Sequence, residues 1–232
     1  DADLVAACGT ELVVLLNNGV SGFAAWTVAK APEGWWYDHA LLDDIDADGA
    51  LDLIAARHTL FWSGSLGGNE ASLSVFRGDG GGGFAELPPT NVSADAGSTQ
   101  TIASGDVDGD GDRDLLGVFG GDALLLENRG SAGFHAQRLA LDLDTTAPAI
   151  GDLLDHDGDG TLDLVGVTFA RTLTMSRNNF ANRIATFEQH MVAKSASFVN
   201  LAEDMDGDGD LDVVAVNEWP LQELRTFIND GG

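Results

Sequence analysis

The nine residues DVDGDGDRD, from Asp106 to Asp114, decide the fold because their pattern returns three more times. The pattern is D-x-D-x-D-G-x-x-D, and the other copies run Asp44–Asp52, Asp155–Asp163 and Asp204–Asp212. The opening Asp1-Ala2-Asp3 matches the last three positions of a fifth copy. The final aspartates, at positions 3, 52, 114, 163 and 212, are separated by 49, 62, 49 and 49 residues. Such regular spacing indicates a repeat protein.

The residues around each copy predict short β-strands. A short apolar run follows each final aspartate, as in Leu115-Leu116-Gly117, and another precedes the motif, as in Thr101-Ile102-Ala103. Asn/Gly turns such as Asn17-Asn18-Gly19 and Asn128-Arg129-Gly130 then recur, and these suit tight hairpins. Each unit therefore contains strand, Asp loop, strand, turn, strand, Asn/Gly turn and strand. Four short antiparallel strands in about 49 residues make the size of a propeller blade.

We therefore predict an all-β fold, a β-propeller of four-stranded antiparallel blades, as a single domain or segment over residues 1–232. It holds about four and a half repeats. The long interval contains about 13 extra residues, which we assign to Ser63–Gly68 and to the Gly/Pro-rich run from Gly78 to Thr99. A ring completed from both termini and a segment of a larger propeller remain open. The approximate units are 1–36 (partial), 37–98, 99–147, 148–196 and 197–232 (partial).

The composition excludes several classes of function. The chain has 38 acidic and 11 basic residues and a formal net charge of −27, so it lacks the basic surface of a nucleic-acid-binding protein. Anionic membrane surfaces would repel it, and it has no apolar run of the roughly 18 to 20 residues that span a bilayer. Eighteen of its 29 aspartates lie in the four motif copies, so much of the charge is local. Cys8 is alone, which excludes an intrachain disulfide, and we expect it to be buried as a small apolar residue.

The Asp loops predict metal sites. Three carboxylates alternate within five residues and would repel one another without a cation, and Ca²⁺ is the hard ion that prefers six to eight oxygen ligands. The glycine at the sixth place permits a sharp turn, and the variable seventh residue fits a backbone carbonyl ligand. An EF-hand is excluded because its twelfth-place Glu is replaced by Ala55, Gly117, Gly166 and Ala215. We expect four structural Ca²⁺ sites with dissociation constants of about 10⁻⁴–10⁻³ M.

The repeats resemble the FG-GAP/VCBS family of calcium-binding β-propeller repeats, which also form the head of integrin α-subunits and some fungal and bacterial lectins. The resemblance runs along the whole chain, and its most specific part is D-x-D-x-D-G-x-x-D-[LV] at blade spacing. It implies a secreted or surface-exposed module for adhesion or for recognition of carbohydrate or protein, within a larger chain. Taken with the seventh-place carbonyl, it implies the following metal ligands: Asp44, Asp46, Asp48, Ala50 and Asp52; Asp106, Asp108, Asp110, Asp112 and Asp114; Asp155, Asp157, Asp159, Thr161 and Asp163; Asp204, Asp206, Asp208, Asp210 and Asp212.

The sequence favours binding over catalysis. It contains no G-x-S-x-G, H-E-x-x-H or phosphate-loop motif, so we expect no enzymatic activity. Trp62 and Trp219 occupy comparable turns after their final aspartates and are candidates for stacking on a sugar, although packing between blades would also explain them. Two alternatives stay open: a non-catalytic propeller attached to a secreted or surface enzyme, and an architectural stalk.

Overall fold

A computed structural model gives the fold of most of the chain. The structure describes residues 3–59, 70–93, 99–119, 122–130, 133–139, 149–155, 159–167, 172–179, 187–194, 198–207, 212–217 and 223–229. The described residues form β-strands and turns with no α-helix, and a 3₁₀ turn lies at Gly19–Ser21. The described part of the chain therefore contains no helix of the length and apolarity needed to cross a membrane. The chain divides into two compact units, Asp1–Ile102 and Ala103–Gly232.

The first unit contains two antiparallel sheets. Three strands form the first sheet in the order β1-β2-β3: β1 (Leu4–Cys8), β2 (Glu11–Asn17) and β3 (Phe23–Lys30). The second sheet has five strands: β4 (Trp35–Asp43), β5 (Asp52–Thr59), β6 (Ala71–Gly78), β7 (Phe84–Glu86) and β8 (Thr90–Ser93). β7 pairs with the end of β6 and β8 with its beginning. Pro88 and Pro89 stand between them and have no N–H to continue a strand, which divides the outer edge in two.

Three sheets follow in the rest of the chain. Two have four antiparallel strands and one has three. Their strands are β9 (Thr99–Gly105), β10 (Asp114–Phe119), β11 (Asp122–Asn128) and β12 (Phe134–Arg138); β13 (Ala149–Leu154), β14 (Asp163–Val167), β15 (Thr172–Asn178) and β16 (Phe187–Lys194); β17 (Phe198–Glu203), β18 (Asp212–Asn217) and β19 (Glu223–Phe227). The four complete copies of the Asp motif each connect the first strand of a sheet to the second, and their final aspartates begin β5, β10, β14 and β18.

Apolar side chains from facing sheets form the cores. In the first unit Leu12 and Val14 of β2 pack with Leu53 and Ala55 of β5, all fully or almost fully buried. All eight residues of β5 are buried: β4 and β6 pair with its two edges, and Leu53 and Ala55 on one face pack against β2. In the second unit Leu116 and Leu125 pack with Leu164 of the neighbouring sheet and with Val107 of an Asp loop. An Asp loop is thus part of the core and not only a surface turn.

The all-β prediction is confirmed, and the sheet that departs from the expected strand number is that of the long repeat, since the first and last repeats were predicted to be partial. Two of the described sheets have the predicted four strands, two have three, and the sheet of the long repeat has five. The run from Gly78 to Thr99, to which part of the extra length was assigned, contains the two short strands β7 and β8. Cys8 was expected to be buried but is exposed, since it ends β1 beside the Gly9-Thr10 turn.

Candidate metal centre

Carboxylates converge in three of the Asp loops. In each group the three residues offer ligand oxygens that all lie within 4.8 Å of one another. The groups are Asp44, Asp46 and Asp48; Asp106, Asp108 and Asp114; and Asp204, Asp206 and Asp212. Each loop therefore presents a set of oxygen ligands that could hold a hard metal ion.

The first aspartate of the motif folds the loop around itself. The Asp44 carboxylate accepts the N–H of Asp48 at 3.1 Å on Oδ1 and the N–H of Gly49 at 3.0 Å on Oδ2. Asp106 and Asp155 accept the equivalent pairs of N–H groups at 3.0 to 3.1 Å. Gly49 has φ +89°, a left-handed conformation that other residues rarely adopt, which explains the invariant glycine at the sixth place.

The last aspartate of the motif has a role that the sequence reasoning missed. Asp114 is completely buried, and its Oδ2 accepts the N–H of Val107 at 3.0 Å while its Oδ1 accepts the N–H of Asn128 at 2.8 Å. It therefore ties the Asp loop to the end of the third strand of its own sheet. The corresponding bonds of the other final aspartates have N···O distances of 2.7 to 3.1 Å: Asp52 with Ile45 and Gly78, Asp163 with Asn178, and Asp212 with Met205 and Asn229.

A signal in the sequence could have revealed this role. Asp3 stands at the final place of the partial first repeat, in which the sequence lacks the first, third and fifth places of the motif. Its Oδ1 accepts the N–H of Asn17 at 2.7 Å, as the other final aspartates do with their partners. The Asn/Gly turn signal that follows four of the five final aspartates marks the partner. The recurrent Asp and the recurrent Asn are thus one structural pair, and the final aspartate stabilises the sheet whether or not it also binds a metal.

Burial makes several of these carboxylates hard to ionise. Burial raises the pKa of Asp114 to about 6, although the two N–H groups that it accepts act in the opposite direction. Burial also raises the pKa of Asp52 and of Asp108, and in Asp108 the neighbouring Asp110 carboxylate adds to the effect. By contrast, the Thr161 hydroxyl holds the pKa of the exposed Asp159 below its usual value. A cation within the loop would favour the ionised form of the buried groups.

Asp46 provides a test of whether a cation fits. Its Oδ1 is buried and accepts no hydrogen bond, while its Oδ2 lies 2.7 Å from Nη1 of Arg77. A buried carboxylate oxygen without a hydrogen-bond donor lowers the stability of the fold, because the free energy lost when it leaves water is not offset by a partner. Asp46 is a member of the group that it forms with Asp44 and Asp48, so a cation bound in that group could coordinate the buried oxygen in place of a hydrogen-bond donor. The donor set, composed entirely of oxygen, fits the ion proposed from the sequence.

Some of the predicted ligands fall outside the three groups. Asp52 caps the backbone as described above, while Asp110 is exposed and accepts the N–H of Asp112 on Oδ1 at 2.9 Å. Ala50 and Thr161 donate their N–H groups to the aspartates at the fifth place, Asp48 and Asp159. Five predicted residues lie outside the described residues: Asp157, Asp208, Asp210 and the two candidate aromatic contacts, Trp62 and Trp219.

Comparisons with solved structures place the chain among propeller-like folds. A luciferin-regenerating enzyme matches with a TM-score of 0.58 and 12% identity over 92% of this chain and 66% of that protein. The chain thus spans just under two-thirds of that enzyme's length, and at this identity the likeness concerns the fold alone. An Agrocybe aegerita lectin that recognises non-reducing terminal N-acetylglucosamine matches with a TM-score of 0.46 and 19% identity, over 99% of this chain and 77% of the lectin.

Sequence comparisons are more restricted. No curated protein matches the chain. A family model described as FG-GAP-like repeat matches residues 59–117, about a quarter of the chain, and this stretch includes the whole loop from Asp106 to Asp114. The repeat family predicted from the Asp motif is supported there: residues 59–117 carry an FG-GAP-like repeat.

Proposed function

We propose that this chain is a calcium-stabilised, non-catalytic recognition or adhesion module that works outside the cell or at its surface. About four Ca²⁺ ions would be held in the Asp loops, one to each copy of the motif. The observation that carries the proposal is the recurrence of three convergent carboxylates at the same place in different sheets. Many of the described carboxylates of these loops accept backbone N–H groups, which favours a structural role over an acid–base role.

Calcium would stabilise the folded chain through mass action. An ion that binds the folded state and not the unfolded state adds RT ln(1 + [Ca²⁺]/Kd) to the free energy of unfolding. At a dissociation constant of about 10⁻⁴ M, 10 mM Ca²⁺ would contribute about 2.7 kcal/mol for each filled site. The melting temperature should therefore rise steadily with Ca²⁺ concentration in the millimolar range.

The first experiment measures calcium binding and stability together. Metal-free protein is titrated with Ca²⁺ in a calorimeter, and its melting temperature is recorded at each concentration, with Mg²⁺ in parallel. We expect binding of about four Ca²⁺ and a rise in melting temperature that Mg²⁺ at the same concentration does not reproduce. If neither heat nor melting temperature changes with Ca²⁺, the proposal is wrong.

A matched pair of variants separates the loops from general charge effects. Asp108→Asn neutralises one member of a carboxylate group while keeping an oxygen that can accept the N–H of Asp110. Glu33→Gln removes one negative charge from an exposed residue outside the Asp loops. We expect Asp108→Asn to lose one Ca²⁺ from the stoichiometry and Glu33→Gln to retain it. Equal loss in both variants would indicate diffuse attraction of cations to an acidic surface.

We also propose that the partner is a carbohydrate or an extracellular protein, contacted through a face of the module. The charge of −27 argues against polyanionic partners. Trp62 and Trp219 are the candidate contacts, and the direct test is a glycan array with and without Ca²⁺, repeated with Trp62→Ala and Trp219→Ala. Unchanged binding in both variants would remove these residues as contacts, and activity in an enzyme screen of the chain alone would contradict the non-catalytic role.

A further inference from the structure

Arg77 places a positive charge against one of the carboxylate groups. It is the last residue but one of β6, and its Nη1 lies 2.7 Å from Oδ2 of Asp46. The Arg77 side chain is 48% exposed, whereas that of Asp46 is 18% exposed, so the ion pair reaches from the surface into the loop. The other Asp46 oxygen, Oδ1, is the buried one that accepts no hydrogen bond. One carboxylate thus has a guanidinium on one oxygen and an unsatisfied position on the other.

A related ion pair occurs in another repeat, at a different aspartate of the motif. Arg177 is the last residue but one of β15, and its Nη2 lies 3.3 Å from Oδ2 of Asp159. Both arginines stand directly before the residue whose N–H binds a final aspartate, namely Gly78 and Asn178. The corresponding residue of β11 is instead Glu127. The position is therefore occupied by an arginine in two repeats and by a carboxylate in a third.

We propose that Arg77 is a resident counter-ion that weakens Ca²⁺ binding at the loop from Asp44 to Asp52, an inference that rests on the proposed calcium function. The guanidinium reduces the net charge of the three-carboxylate group from −3 to −2. It also repels a divalent ion held by the same carboxylate. Because the guanidinium is half exposed, solvent screens this repulsion, and we expect an effect of about five- to tenfold on affinity.

The same contact stabilises the loop when no metal is bound. Asp44 and Asp48 lie close to Asp46 in the group, and the guanidinium relieves part of their mutual repulsion. Removing the charge should therefore have two opposite effects: tighter Ca²⁺ binding and lower stability of the metal-free protein. An arginine that serves only as a surface ion pair would lower stability without changing Ca²⁺ affinity. One that orients Asp46 for the metal would lower Ca²⁺ affinity when it is removed.

The glycine amides of the loops make each site separately measurable. The N–H of Gly49 donates to Asp44 Oδ2 and that of Gly111 donates to Asp106 Oδ2, at 3.0 and 3.1 Å. Protein labelled with ¹⁵N-glycine is titrated with Ca²⁺, and the amide shifts of Gly49, Gly111 and Gly160 give a midpoint for each loop. The variants are Arg77→Met, which keeps an apolar stem without the charge, and Arg77→Lys, which keeps the charge.

We expect Arg77→Met to lower the Gly49 midpoint about five- to tenfold while the Gly111 midpoint stays within twofold of the parent. Arg77→Lys should leave both midpoints within twofold. A Gly49 midpoint that is unchanged or raised in Arg77→Met overturns the inference, as does a parent protein in which Gly111 responds to Ca²⁺ and Gly49 does not. If no glycine responds in the parent, the proposed calcium function itself fails, a result distinct from both of these.

Discussion

The side chain of Asn178 joins two Asp loops: its Nδ2 donates to the carbonyl oxygen of Val107 at 3.0 Å and to that of Leu162 at 3.2 Å. Its backbone N–H donates to Asp163 Oδ1 at 2.7 Å, while the N–H of Val107 donates to Asp114 Oδ2 at 3.0 Å. A continuous series of hydrogen bonds therefore connects the final aspartates of two successive repeats. The four residues that form this series, Asp114, Val107, Asn178 and Asp163, are all buried.

Asn178→Ala should lower the free energy of unfolding by about 2–4 kcal/mol, because it leaves the Val107 and Leu162 carbonyl oxygens without their donor. The measurement is urea unfolding followed by circular dichroism. The control is Asn18→Ala, since Asn18 is exposed and its side chain makes no capping bond. The control should stay within about 0.5 kcal/mol of the parent. A loss below 1 kcal/mol in Asn178→Ala would mean that the bridge contributes little to stability.

Gly78 occupies the place that asparagine holds in the other repeats, at Asn17, Asn128, Asn178 and Asn229. A Cβ at Gly78 would collide with the backbone carbonyl of Leu51, because the Asp loop passes directly over this residue. Replacing Gly78 with the repeat's usual residue, Gly78→Asn, should therefore destabilise the chain by at least about 2 kcal/mol. Thermal unfolding of the variant tests this.

The matched control for Gly78 is Gly81→Ala in the same turn. A Cβ at Gly81 would meet only the Asp79 carboxylate, with Oδ1 at 3.4 Å, which is an ordinary contact. We expect its melting temperature to stay close to that of the parent. If Gly78→Asn is as stable as Gly81→Ala, the approach of Leu51 does not restrict this position.

The periodic parts of the structure were accessible from the sequence. Sequence patterns located the Asp loops, the strands that begin at Asp114 and Asp163, and the Asn/Gly turns, because short-range chemistry determines them. A turn that needs a residue in the left-handed conformation, as at Gly49, can be recognised in the sequence by its glycine. The convergence of alternate carboxylates follows in the same way from the geometry of a tight loop.

The remaining features depend on contacts between distant parts of the chain. Asn178 looks like any turn asparagine, and its bond to Val107, 71 residues away, depends on how two sheets pack. Gly78 departs from the repeat because of the nearby Leu51 carbonyl, which periodicity cannot reveal. From the sequence, the final aspartates were interpreted as metal ligands, because the residue type alone does not distinguish a metal ligand from a buried acceptor of two N–H groups.

Cys8 gives a simple test of the fold of the first sheet. It pairs with Glu11 at the end of β1 and is exposed, contrary to the expectation from its apolar character. Ellman's reagent should therefore react with one thiol per chain in the native protein, at a rate similar to that in denaturant. A thiol that reacts only after unfolding would contradict the described end of this hairpin.

The pH dependence of stability should change sign when calcium is added. Burial raises the pKa of Asp114 in the metal-free fold to about 6, well above the ordinary value for an aspartate. A raised pKa means that the fold favours the protonated acid. Its stabilising contribution is therefore fully present below about pH 4 and is lost as the pH rises through about 6. We expect the metal-free protein to lose about 1–3 kcal/mol from this group between pH 4 and pH 6.5.

With Ca²⁺ bound, the fold should favour the ionised form of Asp114 instead of the protonated form, because the ion interacts with the carboxylate and its binding requires that the carboxylate be deprotonated. Unfolding in urea at half-unit pH steps, on metal-stripped protein and with 10 mM Ca²⁺, should give opposite slopes over this interval. The difference in unfolding free energy between the parent and Asp114→Asn isolates the group, since the amide does not titrate. If that difference is independent of pH in metal-free protein, the pKa of Asp114 is the same in the folded and unfolded chain, and its burial is offset by the N–H groups of Val107 and Asn128.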